Sequence, residues 1–523
     1  MTADWRNLDG LVARADALTG AWGARARAST TRGQERAILR LFGVDGVDAA
    51  GRPLGGATVD RWLAGDPGGL ATGIALPFAM ALLEYDVEPH QLALDIATGS
   101  VDLALEVELL REPDRRAVAE VEARRLAATA LARIDAERTV RRETMDVLGD
   151  APRPWLATTL REPEIEDAID EATDLIGAGL DCVRIEVPIG RELAERLTDA
   201  GRTAREWQPN EDTDPTRSEP VPTGSRRALT RLREAIDQAA AERHGYMRLA
   251  ASVPALGAPD GAAVAAFERI DIVESDAMAE IVSESVEPER ALADHAFAHR
   301  LARRAGTNVL VGAGPLVVAP DMSSGIPSDP STRAGRAIAL QLLGVGLARA
   351  DGLDAAQIIV GGLPPWLIDE SHPGARAIAE VSVRRALFPG HPFAFVEPGG
   401  DGARFRAWPW IQAAAAVHAG DVAMVVRAPR RRADDAVTLA AARSAATLAS
   451  EVAGATRPGE LTGVALDHAN GMVAAALATL ERLADTGWRA VAGDSPSLGS
   501  SQGPGWDSVA ERTDPFDPFG WFD

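Results

Sequence analysis

Lysine is absent from this 523-residue chain, in which all 54 basic residues are arginine. Codon usage in a GC-rich genome explains the absence, and the abundant alanine, arginine and glycine agree with it. The chemical consequence holds either way. A lysine side chain is the group that forms a Schiff base with carbonyl cofactors, so any such lysine has to come from another chain.

Cysteine is almost absent too, since Cys182 is the only one. A single cysteine excludes an internal disulfide and a CxxC metal site. The first twenty residues are polar and lack the apolar core of a signal peptide. No run approaches the roughly 20 apolar residues that cross a bilayer. We therefore expect a cytoplasmic protein with no membrane partner.

The charge is strongly one-sided, with a net charge of −23 and a pI of about 4.9. A polyanion such as nucleic acid is an unfavourable partner for such a surface. A small-molecule substrate is the more natural expectation.

The pattern of apolar residues changes near residue 150. Before it, apolar positions recur at helical spacing, which predicts a helical N-terminal domain over 1–150. After it, eight short apolar runs alternate with amphipathic helices, which predicts a (β/α)8 TIM barrel over 151–460. An open doubly wound sheet is the rival, but its usual GxGxxG turn is missing. Residues 461–523 are predicted to be a helix and a Gly/Ser/Asp-rich tail. The eight runs cover 155–160, 182–187, 246–252, 270–275, 308–314, 357–362, 392–398 and 422–428.

Charged and polar residues follow the predicted strands at their C-terminal ends, where barrels of this kind carry their active sites. Arg184 and Glu186 lie on the second strand, Ser252 on the third, Glu274 on the fourth and Glu397 on the seventh. The planar guanidinium of Arg184 suits a phosphate or a carboxylate. We therefore predict that Arg184 binds an anionic group of a cofactor or substrate and that the four others are candidates for substrate binding. The alternative is that Arg184 and Glu186 only pair with other charges at this mouth.

Three further patterns allow a functional and a plain interpretation. His295 and His299 are four residues apart, a spacing that can bind zinc, but no third ligand is indicated and ordinary histidines are the simpler interpretation. Residues 319–336 enter a helix through Ser and Asp, which makes either an anion site or a capped loop. Residues 427–435 carry an arginine run that either binds phosphate or is solvated. No metal site is predicted.

Two stretches resemble one known family. They are "ERAILRLFGVDGVDAAGRPLGGATVDRWL" (35–63), followed by "GIALPFAM", and "RLAASVPALGAPDGAAVAAFERIDIVESDAM" (248–278). Both resemble the α subunit of lysine 5,6-aminomutase. The resemblance implies a barrel subunit that binds pyridoxal phosphate (PLP) and substrate. It also implies a smaller β-type partner subunit, whose DxHxxG motif binds adenosylcobalamin and which supplies the PLP lysine. The chain has neither DxHxxG nor lysine.

The resemblance places Arg184 where the family has an arginine on the PLP phosphate. Other family residues are replaced: Ala279 stands for a stacking tyrosine, Glu284 for an arginine, and 314–317 and 397–405 for substrate and lysine segments. These replacements argue against PLP. The implied function is an adenosylcobalamin-dependent isomerase that shifts an amino group on an amino acid. Two alternatives stay open: a PLP-independent cobalamin-dependent isomerase on another substrate, and a catalytically degenerate scaffold or regulatory paralogue.

Overall fold

Eight parallel strands close into a barrel in the computed structural model, and they follow one another in chain order. The prediction of a (β/α)8 barrel is confirmed. The strands are nearly all buried, because helices cover the outside and side chains fill the inside. Their bounds are β2 Trp155–Leu160, β3 Cys182–Ile185, β4 Arg248–Ser252, β5 Ile272–Glu274, β6 Asn308–Val311, β7 Ile358–Leu363, β8 Phe393–Val396 and β9 Val422–Arg427.

The structure describes most of the chain but not all of the loops that follow the barrel strands. The described residues are 8–46, 48, 53–66, 68–160, 165–185, 226–252, 258–283, 286–312, 329–363, 370–396, 411–412, 414–416, 418–419, 421–427, 460–488, 509–514, 516 and 518–522.

Helices make up the N-terminal extension and alternate with the barrel strands. The longest described helix, α8, begins with a proline, whose missing N–H costs nothing in a first turn, and Gly149 is its C-cap. The bounds are α1 Asp9–Ala28, α2 Arg32–Leu41, α3 Leu54–Gly65, α4 Gly69–Thr72, α5 Ala75–Tyr85, α6 Pro89–Thr98, α7 Ala104–Leu109, α8 Pro113–Leu148, α9 Ile165–Gly177, α10 Arg226–Arg243, α11 Ala258–Phe267, α12 Ala277–Ser283, α13 Pro288–Ala305, α14 Pro330–Ala350, α15 Pro373–Leu387 and α16 Gly463–Thr486.

The N-terminal extension packs directly against the helices outside the barrel. Gln34 on α2 donates a hydrogen bond to the carbonyl of Ala293 on α13, over 2.7 Å. The Thr31 hydroxyl donates to Asp294 on the same helix. Thr31 belongs to a three-residue strand, β1 Ser29–Thr31, which pairs antiparallel with β10 Val509–Glu511. In its described residues the extension thus has helices and the single strand β1, and part of the tail is bound to it.

The C-terminal helix α16 lies against α14 with almost no space between the two backbones. At Gly335 of α14, an added Cβ would come within 2.7 Å of Ala475 and 2.9 Å of the Ala476 nitrogen. At Gly471 of α16, it would come within 2.8 Å of Ser331. Glycine is required at such a close approach because any side chain would push the helices apart. The helix α16 spans Gly463–Thr486, inside the region 461–523 where a helix is predicted.

The N-terminal end of the barrel is closed by aromatic and charged side chains. Trp155 lies across this end, with the guanidinium of Arg248 3.6 Å from its ring centre. Arg248 also forms a 2.6 Å ion pair with Asp150. Above this plug, small and apolar side chains fill the interior, so the C-terminal end is the one that can receive a ligand. These side chains include Ala157, Cys182, Ala250, Ile272, Leu310, Ile359, Ala394 and Met424.

Candidate active site at the C-terminal mouth

A ring of residues lies one step above the apolar interior. Side chains alternate between the two faces of a strand, so a residue two positions after an inward-facing one also faces inward. Applied to the interior residues above, and to those positions whose side chains the structure describes, this rule gives Thr159, Arg184, Glu274, Gly312, Gly361, Val396 and Val426. We call these seven residues the mouth ring. Among them Arg184 is the only cation and Glu274 the only anion.

Arg184 and Glu274 bind each other across the mouth ring. The Arg184 Nε donates to Glu274 Oε1 over 2.5 Å and the Nη2 donates to Oε2 over 2.6 Å. The Nη1 donates to the Thr159 hydroxyl over 2.9 Å. The two charged side chains are each 19% exposed. This is the bidentate geometry that makes arginine–carboxylate pairs strong and directional.

The register of the strands explains why these two residues meet. Arg184 on β3 lies opposite Ala250 on β4, and Glu274 on β5 lies opposite Ser252 on β4. β4 therefore separates the two charges, and the small Ala250 side chain leaves room for Arg184 to reach over it. A pair held by three adjacent strands is fixed in place more firmly than one held by loops.

The other predicted site residues are only partly described. Ser252 lies in β4 at the level of Glu274, and its role in binding stays a prediction. Glu186 and Glu397 lie outside the described residues, as does Glu284. The structure thus brings together Arg184 and Glu274, which pair with each other. Their roles in binding a cofactor or substrate stay predictions.

Asp276 is a site residue that the sequence reasoning missed. One of its carboxylate oxygens accepts hydrogen bonds from the backbone N–H groups of Met278 and Ala279, at 3.0 and 3.3 Å. The other accepts from the N–H of Gly312 over 2.7 Å. Burial raises the pKa of Asp276, while these hydrogen bonds oppose the shift. The signal was present in the sequence, because an aspartate just before a helix is a usual N-cap.

Gly312 shows why one of the mouth glycines is required. Its φ is +77°, which strains other residues, and an added Cβ would collide with the Gln341 side chain. Gln341 donates to the carbonyl of Gly361 over 2.8 Å and accepts from the buried Arg384 over 2.9 Å. A side chain of the protein thus fills the space beside Gly312.

The two histidines of α13 are buried and serve separate partners. His295 contacts the Ser275 hydroxyl at 2.6 Å through Nδ1 and Glu280 at 2.9 Å through Nε2. His299 contacts Asp351 at 3.0 Å. Among the described residues, no three metal-binding side chains lie close enough to hold an ion. The plain interpretation, buried structural histidines, agrees with this arrangement better than zinc does.

The start of α14 is occupied by an acid of its own. Asp329 accepts hydrogen bonds from the backbone N–H and the hydroxyl of Thr332, at 2.8 and 2.7 Å. Those hydrogen bonds hold the pKa of Asp329 below its usual range. Arg333 forms a 3.4 Å ion pair with Glu370. A capped helix start, rather than an anion site, is therefore what residues 329–336 show.

Comparison with known proteins gives one clear family match. The model of the D-lysine 5,6-aminomutase TIM-barrel domain of the alpha subunit matches residues 4–404. The chain belongs to this family. A lysine 5,6-aminomutase alpha subunit from Acetoanaerobium sticklandii is 25% identical over 370 residues, which cover 71% of this chain and 66% of that protein. One from Fusobacterium nucleatum is 23% identical, with 70% and 65% covered.

This chain thus spans slightly less than two thirds of the length of these aminomutase subunits. A solved dihydropteroate synthase from Anaplasma phagocytophilum is 16% identical, with a TM-score of 0.35, over 57% of this chain and 100% of that one. That similarity is too weak to support any statement about function. None of the helices in the described part of the chain has the length and hydropathy needed to cross a membrane.

The cofactors that the aminomutase family implies can be tested against these residues. A PLP phosphate needs open donors, but Glu274 binds Arg184 and Asp276 takes the Gly312 N–H. Ala279, at the place of the family's stacking tyrosine, is buried and offers no ring. The described mouth residues therefore do not fit the phosphate of PLP. Cobalamin cannot lie inside the barrel, because side chains fill the described interior, and would have to face the mouth from outside.

Proposed function

We propose that this chain is the barrel subunit of an adenosylcobalamin-dependent isomerase that shifts an amino group on an amino acid. The cobalamin is carried by a smaller partner subunit with a DxHxxG motif, which covers the mouth. The observation that carries the proposal is a family match over residues 4–404 on a closed barrel with a charged pair at its mouth. Lysine as the substrate rests on the family alone.

Arg184 and Glu274 are the residues that hold the substrate in this proposal. An amino acid carries a carboxylate and an ammonium group, which match the guanidinium of Arg184 and the carboxylate of Glu274. The two charges exchange their mutual contact for contacts with the substrate, so little charge is left unpaired. Thr159, which contacts the same guanidinium, keeps it oriented during this exchange.

The barrel excludes water from the reacting groups. Adenosylcobalamin, when bound, supplies a carbon radical through homolysis of its cobalt–carbon bond. Such species need a site protected from solvent and from side reactions. The apolar interior and the Trp155–Arg248 plug close the site from below, and the partner subunit closes it from above.

The two alternatives each have support. The mismatch with PLP favours a PLP-independent isomerase acting on another substrate. The Arg184–Glu274 contact, which also satisfies both charges without any ligand, favours a degenerate scaffold or regulatory paralogue.

Co-expression with a cobalamin-binding DxHxxG subunit tests the proposal. We expect the two chains to co-purify and the complex to show the visible absorbance bands of cobalamin. Adding an amino acid should slow the loss of these bands under light. Co-purification without cobalamin in the presence of excess adenosylcobalamin would instead identify a scaffold. Failure of the two chains to associate would contradict both the enzyme and the scaffold. Arg184→Gln should leave assembly unchanged and weaken the effect of the amino acid.

A further inference from the structure

We infer that the mouth of this barrel excludes phosphate dianions, and that Glu274 is the residue that determines this specificity. The chain therefore does not bind PLP through Arg184. The inference concerns the same site as the proposed function and deepens it, because it restricts the ligand to one whose anionic group is accompanied by a cation.

Arg184 already pairs with a carboxylate of the protein. Two donors of Arg184 are held by one carboxylate in bidentate geometry, with the charges on both sides neutralised. A phosphate bound at this guanidinium would lie within several ångströms of Glu274. Carboxylate and phosphate repel each other strongly at such distances in a partly buried site. An ammonium-bearing ligand removes this repulsion because it neutralises Glu274.

Several described backbone N–H groups at the rim already donate to acids of the protein. Phosphate sites in this fold use backbone N–H groups at loops and helix starts. At the mouth, the N–H groups of Gly312, Met278 and Ala279 all donate to Asp276. At the start of α14, the N–H of Thr332 donates to Asp329. Each of these donor sets is thus already filled by an acid of the protein.

Three acids add negative charge to the described rim. Glu274, Asp276 and Asp329 each occupy the place that an external anion would take. None of the three arrangements depends on the others, since they lie on β5, before α12 and before α14. A ligand with a net negative charge meets an acid at each of them, whereas a zwitterion is accepted between Arg184 and Glu274.

A titration of the full chain with PLP tests the inference. PLP has no lysine to react with in this chain, so binding is followed by tryptophan quenching and by calorimetry. We expect no saturable binding to the wild type at millimolar PLP. In Glu274→Gln the repulsion is removed, and we expect PLP affinity to rise at least about tenfold. Adding Arg184→Gln to this variant should abolish the gain.

Two control variants separate charge from shape and from general effects. Glu274→Asp keeps the charge and should show no gain. Glu122→Gln removes the carboxylate from another bidentate pair, with Arg125 on α8 at 2.6 and 2.8 Å, and should behave like the wild type. Inorganic phosphate, used as a competitor, should displace PLP from Glu274→Gln. Circular dichroism establishes that each variant is folded.

Tight PLP binding to the wild type that is lost in Arg184→Gln would overturn the inference. An unchanged PLP affinity in folded Glu274→Gln would also overturn it. The titration needs neither the partner subunit nor cobalamin. A chain that excludes PLP but never assembles with a cobalamin-binding partner would therefore refute the proposed function and leave this inference standing.

Discussion

The contact between α14 and α16 gives a prediction whose size follows from the atomic distances. Gly335→Ala places a methyl group 2.7 Å from the Ala475 Cβ and 2.9 Å from the Ala476 nitrogen. The Met472 carbonyl oxygen is nearer still. Carbon atoms pack favourably at about 3.5–4.0 Å. Because the obstructing atoms include backbone, no rotamer change relieves the collision, and the two helices have to separate.

The expected cost combines two opposite effects. Forcing an extra methyl group into a packed interface costs about 1–3 kcal/mol, and backbone obstruction places this case at the upper end. Replacing a helical glycine by alanine gains about 1 kcal/mol. The net destabilisation of the contact is about 2 kcal/mol. That value corresponds to roughly 30-fold more frequent local opening.

Amide hydrogen exchange measures this opening directly. We expect residues 463–486 to exchange about 30-fold faster in Gly335→Ala, with little change in the barrel strands. The matched control is Gly20→Ala in α1, where nothing lies within 4 Å of the added Cβ. In this variant the exchange rate of residues 463–486 should be unchanged. Equal exchange of 463–486 in both variants would show that α16 does not dock on α14 as described.

Two further predictions concern buried groups. Burial raises the pKa of Asp294 from 3.8 to about 6, against the opposing effect of Arg290. The stabilisation that the protonated Asp294 contributes is therefore complete below pH 3.8 and is lost as the pH rises through 6. Asp294→Asn should therefore destabilise the fold more near pH 4 than near pH 7 in thermal melts; the opposite order would contradict an Asp294 buried as described. Burial, and secondarily Asp271, raises the pKa of the Cys182 thiol, so a thiol reagent should react only in denaturant, and rapid labelling of the native chain would show that the barrel interior is open.

The sequence was sufficient for the barrel and for part of its mouth. Eight continuous apolar runs indicate strands buried on both faces, and Arg184 and Glu274 fall at strand ends by position alone. The sequence did not predict that Glu274 is the charge with which Arg184 pairs. That contact depends on the register across β4 and on the small size of Ala250, neither of which is a local property of the chain.

Asp276 and the tail show two other limits. Asp276 precedes α12, a seven-residue helix that is too short for a clear periodic signal, so its N-cap pattern could be recognised only once the start of the helix was known. By its composition alone, the tail could be either bound to the rest of the chain or disordered. Its strand β10 has three residues and pairs with β1 at the other end of the chain, and a contact of that kind leaves no pattern in either segment.

A crystal structure of the full chain grown in phosphate buffer tests the central claim most directly, because it records what the guanidinium of Arg184 binds when phosphate is abundant. The account predicts the Glu274 carboxylate on Arg184 in bidentate contact, with no phosphate within hydrogen-bonding distance. A phosphate bound to Arg184, with Glu274 turned away from it, would contradict the account.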